Sequence, residues 1–265
     1  MRIQEYEGKK YQQQKSSTVS NRLTVEAALQ IAINGFPFTV TMRTPGNDKE
    51  LIRGLLYSED VYRKSGNSPE ISYRKKNKVT TIANVKINKN DLGNGFKNSR
   101  SLLSVSSCGI CGKQELDDIS TYRDCLEDDR QLEITKLYTM FEDMTKQQDT
   151  FLKTGGSHAA TAFDAKGNLL TVMEDIGRHN AVDKVVGHLI NHSQLDDAVG
   201  LLISGRISYE IIAKTFSAGI PILAAVSAPS SLAVEYAKQF GVTLLAFCRG
   251  EKATCYANPQ RIIAT

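Results

Sequence analysis

Leu201-Leu202-Ile203-Ser204-Gly205-Arg206-Ile207-Ser208-Tyr209-Glu210-Ile211-Ile212-Ala213-Lys214-Thr215-Phe216-Ser217-Ala218-Gly219-Ile220-Pro221-Ile222-Leu223-Ala224-Ala225-Val226 is the stretch on which the fold turns. Residues 201–204 read as a short buried strand, apolar without alternation because both faces must be covered. Ile207, Ile211 and Ile212 then line the inner side of a helix over residues 207–218, and residues 222–226 form a second apolar run. The rhythm continues in both directions. Downstream, Ser230 or Ser231 caps a helix carrying Leu232, Tyr236 and Phe240, and residues 242–247 make a third strand. Upstream, residues 180–192 are amphipathic, with Ala181, Val182, Val185, Val186 and Leu189 on one side. Before them, residues 159–163 and 169–173 flank an Asp-Ala-Lys-Gly-Asn turn, the pattern of a hairpin. Alternation of this kind predicts a layered α/β sheet, at least partly parallel, which holds its ligands at the carboxyl ends of the strands.

The rest of the chain is read against that sheet. Leu137, Phe141, Met144 and Phe151 continue one helical pattern that Thr154-Gly155-Gly156 should end. Near the start, Asn34-Gly35 stands between the apolar segment 26–33 and the alternating segment 36–42, a strong hairpin signal. A helix should follow from Lys49 towards Tyr57, and residues 62–100 should hold two or more strands with cationic faces. Residues 23–103 are taken as a small α+β domain and residues 104–265 as the layered α/β domain. Residues 1–22, polar and rich in Gln, Lys and Ser, read as a loosely ordered tail.

Composition narrows the function. The 265 residues are 41% apolar and 23% charged, ordinary for a globular chain. No run approaches the roughly 18–20 apolar residues that span a bilayer, and the first residues carry no secretory pattern. A cytoplasmic protein without a membrane partner is expected. The five cysteines, an odd number, do not suggest a disulfide framework. The net charge of +4 is uneven: residues 1–100 hold 18 Lys/Arg against 9 Asp/Glu, and the remainder 15 against 20. The basic part would suit an acidic protein, a phosphorylated ligand or nucleic acid, or simply a solvated surface.

Polar residues gather where the strands end: Gly155-Gly156-Ser157-His158, Glu174 to Asn180, Ser204-Gly205-Arg206, Ser227 to Ser231, and Phe247-Cys248-Arg249-Gly250-Glu251-Lys252. One such cluster is no more than a capped turn, but five in series favour an anionic ligand held by backbone N–H groups and arginine. Ser106-Ser107-Cys108-Gly109-Ile110-Cys111-Gly112-Lys113 adds an uncrowded thiol pair. Structural zinc would need a second pair at similar spacing, and Cys248 and Cys255 stand too far apart to supply it. A thioredoxin-like pair would sit near a βαβ unit. A deaminase needs His-x-Glu followed by Pro-Cys-x-x-Cys, whereas Ser107 precedes Cys108 and Ala159-Ala160 follow His158. His188 and His192, a turn apart at a helix end, suit a surface role. His179 and His158, in polar turns, have the better functional claim. Cys125, Cys248 and Cys255 are read as small buried hydrophobes.

Taken together, Cys108-Gly-Ile-Cys111-Gly-Lys, Thr154-Gly-Gly-Ser-His-Ala-Ala, Glu174-Asp-Ile-Gly-Arg-His-Asn-Ala-Val-Asp-Lys, Ser204-Gly-Arg, Ser227-Ala-Pro-Ser-Ser-Leu-Ala-Val and Phe247-Cys-Arg-Gly resemble the FdhD/NarQ family from about residue 23 onward. The resemblance implies a cytidine-deaminase-like α/β domain without the zinc site, preceded by a smaller domain. It further implies a sulfurtransferase that takes persulfide sulfur from a cysteine desulfurase and delivers it to a molybdenum or tungsten bis-guanine-dinucleotide cofactor for formate dehydrogenase. In the same terms Cys108 is the persulfide carrier, Cys111 its assistant, and Phe247, Cys248, Arg249, Gly250, Glu251 and Lys252 the cofactor contact. No metal ligand or nucleic-acid partner is implied, and a homodimer would match two symmetry-related cofactor halves. A non-catalytic cofactor chaperone and a Cys-x-x-Cys redox protein remain the alternatives.

Overall fold

Strands β1 (Ile3–Gln12) and β2 (Lys15–Thr24) pair in register as an antiparallel ribbon, so residues 1–22 are not a loosely ordered tail. Their polar composition misleads because the ribbon has no core to bury: nearly every side chain is exposed, and the order comes from the backbone ladder. The structure, a computed structural model, describes residues 1–64, 66, 68–98, 124–127 and 129–264. Strands β3 (Ala27–Ile33) and β4 (Phe36–Arg43) then form the hairpin that Asn34-Gly35 announces. Both turn residues have positive φ, 51° and 85°, the type I′ geometry that Asn-Gly favours.

Helix α1 (Asp48–Ser58) leads to β5 (Glu70–Lys75) and β6 (Thr80–Lys86), completing a four-stranded sheet of order β4-β3-β6-β5. Leu29, Ile31 and Ile33 alternate with more exposed neighbours along β3 and meet Leu51, Ile52 and Leu56 of α1 in a core of their own. A short helix, α2 (Asn94–Asn98), closes this part.

The larger unit begins with β7 (Leu132–Glu133), α3 (Ile134–Lys146) and α4 (Asp149–Thr154). The single helical pattern expected from Leu137 to Phe151 is thus two helices, interrupted at Gln147 and Gln148. Gly155 ends α4 in the left-handed conformation, φ 66°, as the Gly-Gly pair foretold. Strands β8 (His158–Phe163) and β9 (Leu169–Asp175), helix α5 (Arg178–Asn191), strand β10 (Gly200–Ile203), helix α6 (Tyr209–Ser217), strand β11 (Ile222–Ala225), helix α7 (Ser231–Phe240) and strands β12 (Thr243–Arg249) and β13 (Lys252–Ala257) follow. The last strand, β14 (Ile262–Ile263), pairs with β7.

The six-stranded sheet has the order β13-β12-β11-β10-β8-β9. Its centre, β10-β11-β12, is parallel, and β8, β9 and β13 join antiparallel, so the sheet is mixed. Side-chain alternation sorts the core into two layers. Ala160, Leu201, Ile203, Leu223 and Leu244 face α5, α6 and α7, while Ala159, Phe163, Leu202, Ala224 and Leu245 face Leu137, Phe141 and Met144 of α3. Among the described residues no helix is long and apolar enough to cross a membrane.

Candidate functional site at the strand ends

The topology decides where the polar turns go. Because β10, β11 and β12 run parallel, the turns that leave them lie along one edge of the sheet. Antiparallel pairing brings the start of β8 to the same edge, with His158 opposite Asp175 and Ala160 opposite Ile203. All five clusters therefore line one edge, although they are scattered over almost a hundred residues (155–252). Neighbouring turns are tied by backbone bonds: Ile207 N donates to Ala228 O (3.1 Å), Ser230 N to Ile207 O (2.9 Å) and Phe247 N to Ser227 O (3.2 Å). Ser230 also caps α7, its hydroxyl accepting from Ala233 N at 3.2 Å.

The clusters differ in what they leave available. The one from Glu174 to Asn180 is mostly scaffold, against the expectation that it serves a ligand. The buried Glu174 carboxylate accepts from Thr150 N (2.8 Å), Phe151 N (2.7 Å) and Ser157 Oγ (2.8 Å), holding the start of α4 against the sheet. Asp175 accepts from Thr44 N, Gly177 N and Asn180 Nδ2, and pairs with the buried Lys184 at 2.7 Å. What remains for a ligand is Arg178 and His158, both half-buried, Ser204, and the exposed Arg206 and Arg249. Gly205 lets these groups crowd: a Cβ there would lie 3.3 Å from both the Arg178 Cβ and the His158 Nδ1. Arg178 Nε is buried with no hydrogen-bond partner among the described residues. His179 meets Ser208 Oγ at 3.2 Å, with Glu210 Oε2 3.9 Å away.

Burial pulls His158 below its ordinary value of 6.5, and the nearby Arg178 guanidinium adds to the effect, so the ring is neutral at pH 7. Beside it a cavity of about 490 Å³ opens between the α3–α4 corner and the strand ends. Met144, Phe151, Ile176 and Val226 supply apolar wall, while Gln148, His158 and Ser204 supply polar atoms. Val226 also joins this cavity to the last cluster, since its carbonyl accepts from Arg249 Nε at 3.2 Å.

In that last cluster, Phe247 is 47% exposed and adopts φ 55°, an uncommon conformation for a non-glycine residue and one concentrated at functional sites. A bulge between Ala246 and Arg249 carries it. Arg249 and Lys252 pair across the turn, and with Gly250 and Glu251 they face solvent. Cys248 turns the other way, into the α3-side core, where burial pushes its thiol up to about 12 and keeps it neutral. The expectation of burial thus holds for Cys248 but not for Cys125 or Cys255, which are exposed. Cys255 lies on β13, the edge strand of the six-stranded sheet, and its thiol donates to Ala257 O at 3.3 Å. His188 and His192 stack at the end of α5, ring centroids 4.0 Å apart. Cys108, Cys111 and Lys113 lie outside the described residues.

Sequence reasoning found the turns, with Ile176 in one of them, and missed Gln148 and Val226, which complete the cavity wall. Gln148 read as the interior of one helix, and Val226 as the end of a buried strand.

A family model described as the FdhD/NarQ family matches residues 24–263. A sulfur carrier protein FdhD of Mycobacterium bovis is 41% identical over 251 residues, covering 91% of each chain. One of Sulfolobus acidocaldarius is 40% identical over 242 residues, covering 91% of this chain and 90% of its own. A solved structure from Desulfotalea psychrophila, described as a candidate formate dehydrogenase accessory protein, superposes with a TM-score of 0.76 at 20% identity. It covers 98% of this chain and 99% of that one, and shows the same fold. The chain belongs to the FdhD/NarQ family.

Proposed function

We propose that this protein is a cytoplasmic sulfur carrier. It accepts persulfide sulfur from a cysteine desulfurase at Cys108 and passes it, with Cys111 assisting, to a molybdenum or tungsten bis-guanine-dinucleotide cofactor required by formate dehydrogenase. Its relatives' names, sulfur carrier protein FdhD, support the chemistry. One observation carries the cofactor part of the reading: five polar turns distant in sequence share one sheet edge, with cationic Arg206 and Arg249 beside a cavity sized for a small molecule.

In the loading step the Cys108 thiolate attacks the outer sulfur of the desulfurase persulfide, the desulfurase cysteine leaves as a thiolate, and Cys108 holds the new persulfide. Lys113 in the adjacent sequence favours the thiolate by charge. Arg249 and Lys252 meet the phosphates of the acceptor, Glu251 accepts from a base edge, and Phe247 offers an aromatic face. The acceptor is a substrate here, and no resident metal is required. We take residues 23–103 and 104–265 as the two units, the second a zinc-free deaminase-like layer, and the working form as a homodimer.

Intact-mass measurement after incubation with cysteine and a desulfurase tests the reading. One sulfur atom should add to the wild type and none to Cys108→Ala, which should also fail to activate formate dehydrogenase. Loss of two hydrogens without sulfur would make it a redox protein. Activation surviving in Cys108→Ala would make it a cofactor chaperone.

A further inference from the structure

Away from the strand ends, a groove of about 1350 Å³ opens between the β1–β2 ribbon, the N-terminal end of α1 and the β5–β6 hairpin. Register decides what faces it. Gln4 lies opposite Leu23, so Gln4, Tyr6 and Leu23 share one face of the ribbon, and Lys75 lies opposite Thr81, so Tyr73, Lys75 and Thr81 share one face of the hairpin. Tyr6, Leu23, Tyr73 and Val79, all lining the groove, are 46–60% exposed. Large apolar groups left in water around one groove mark a surface that another molecule covers. The ribbon itself asks for such cover. A two-stranded ribbon is marginally stable alone, and this one is tied down at its base, by Val25 N donating to Arg2 O (2.8 Å), by Arg2 on Asn47, and by Thr24 Oγ1 on Thr154 Oγ1 (2.8 Å).

Charge narrows the occupant. Lys49, Lys75 and Lys78 line the groove without an ion pair among the described residues, and Arg74 and Lys76 stand exposed on the same hairpin. Of the carboxylates on the wall, Asp48 is taken by Arg43 at 2.9 Å, which leaves Glu26 and Glu50. The open cations outnumber the open carboxylates, which selects an acidic occupant. The apolar walls and the two remaining carboxylates suit side chains better than a nucleic-acid backbone, whose charge repeats without interruption. Burial, then Asp48 and Glu50, push the Tyr73 hydroxyl up to about 12, so it stays protonated as a donor.

Position narrows it further. Thr24, on the groove wall, touches the end of α4: beyond its bond to Thr154, its Oγ1 would lie 3.2 Å from a Cβ on Gly156. Gly155 and Gly156 in turn line the strand-end cavity. On the other flank, Thr44 Oγ1 accepts from Ile176 N (3.0 Å), which joins Pro45 of the groove to Ile176 of the cavity. The groove and the strand-end edge are therefore two sides of one wall.

We propose that this groove docks an acidic segment with apolar anchor residues, carried by the enzyme that receives the finished cofactor. The proposal rests on the function given above, in which the strand ends hold a cofactor destined for formate dehydrogenase. Tyr6, Leu23, Tyr73 and Val79 take the apolar anchors, while Lys75 and Lys78 steer and orient the acidic side chains. The recipient is thereby held beside the edge from which the cofactor leaves.

The test compares the full chain with two variants, Lys75→Glu with Lys78→Glu and Tyr6→Ser with Leu23→Ser. All four side chains are exposed, so the fold does not depend on them. Immobilised cofactor-free formate dehydrogenase is titrated with each protein over a salt series, and sulfur loading by the desulfurase is followed by intact mass. Both variants should load sulfur as fast as wild type and bind the dehydrogenase about tenfold or more weakly. The charge reversal should also flatten the salt dependence, whereas the apolar variant should keep it. Wild-type affinity in both variants would overturn the proposal. So would slower loading by the desulfurase, which makes the groove a surface for the sulfur donor, or a changed sedimenting mass, which makes it a contact between two copies of this chain. Tighter binding of wild type to a random-sequence RNA than to the dehydrogenase would overturn it as well. Sulfur loading of wild type decides the carrier reading separately, because it is measured without the dehydrogenase.

Discussion

His158 shows how one residue carries both site and stability. It is placed by β8 pairing with β9 and β10, flanked by Arg178 and Arg206, and opposed by Asp175, the only one of these charges that favours its protonation. The unfolded chain takes up the proton near 6.5, and the folded chain only at lower pH. The unfolded state therefore binds more protons as pH falls below 6.5, and stability should fall with it, whereas above that value the group contributes no slope. His188, also held low by burial and then by His192, adds to the same trend. Urea midpoints measured between about pH 7.5 and about pH 5.5 should drop less steeply in His158→Asn than in wild type. An unchanged slope would mean that His158 is already charged in the native state.

At the scale of elements, the chain is joined by the crossing of α1 on α5. A Cβ on Gly54 would overlap the Asp183 carbonyl oxygen, and one on Gly187 would overlap Glu50 O and come within 2.7 Å of Gly54 N. The two backbones touch because both helices are bare there, which is the reason glycine is kept inside each despite its cost of about 0.5–1 kcal/mol relative to alanine. Gly187→Ala should therefore destabilise by about 3 kcal/mol, at the upper end for an overpacked core, since backbone rather than a flexible side chain must move. Denaturant unfolding measures this, and a change below about 1 kcal/mol would show that the helices can separate freely. The Asn34-Gly35 hairpin illustrates the opposite case, an element settled by two residues whose positive φ values need no outside help.

For the whole molecule, buried polar bridges hold the small sheet on the large one. Lys214 pairs with Asp183 at 2.8 Å and approaches Glu59 at 3.6 Å, and Ser58 Oγ donates to Asp183 at 3.1 Å. Burial alone would lower the Lys214 ammonium, but the two carboxylates outweigh it and hold the group above its ordinary value, charged at neutral pH. A second bridge runs from Lys184 to Asp175, with the Lys184 ammonium also donating to Thr44 O and Glu174 O. These contacts link the β4–α1 and β9–α5 connections and so steady the edge that carries the turns. Lys214→Met should cost about 3–5 kcal/mol by leaving Asp183 buried and unpaired. The double change Lys214→Met with Asp183→Leu should recover much of that loss. If the single variant melts like wild type, the pair is not a structural tie.

By itself the sequence determined the local elements and the places where the polar turns fall. Apolar runs over residues 201–204 and 222–226, the helical spacing between them, the Asn-Gly turn and the Gly-Gly stop report on neighbours a few residues away, and local sterics read them alone. The turns at Ser204-Gly205-Arg206 and Phe247 to Lys252 were legible for the same reason. The β1–β2 ribbon was not, because exposed strands lack the apolar alternation that marks a buried face. Only the tertiary structure decided which polar residues stay available. Glu174, Asp175 and Asn180 look like Arg206 and Arg249 in sequence, yet the first three are consumed in holding α4 and the small sheet, since their partners lie on other elements. Gln148 shows the converse: a broken helix and a clamped corner bury it on the wall of a cavity, which no pattern within its own segment encodes.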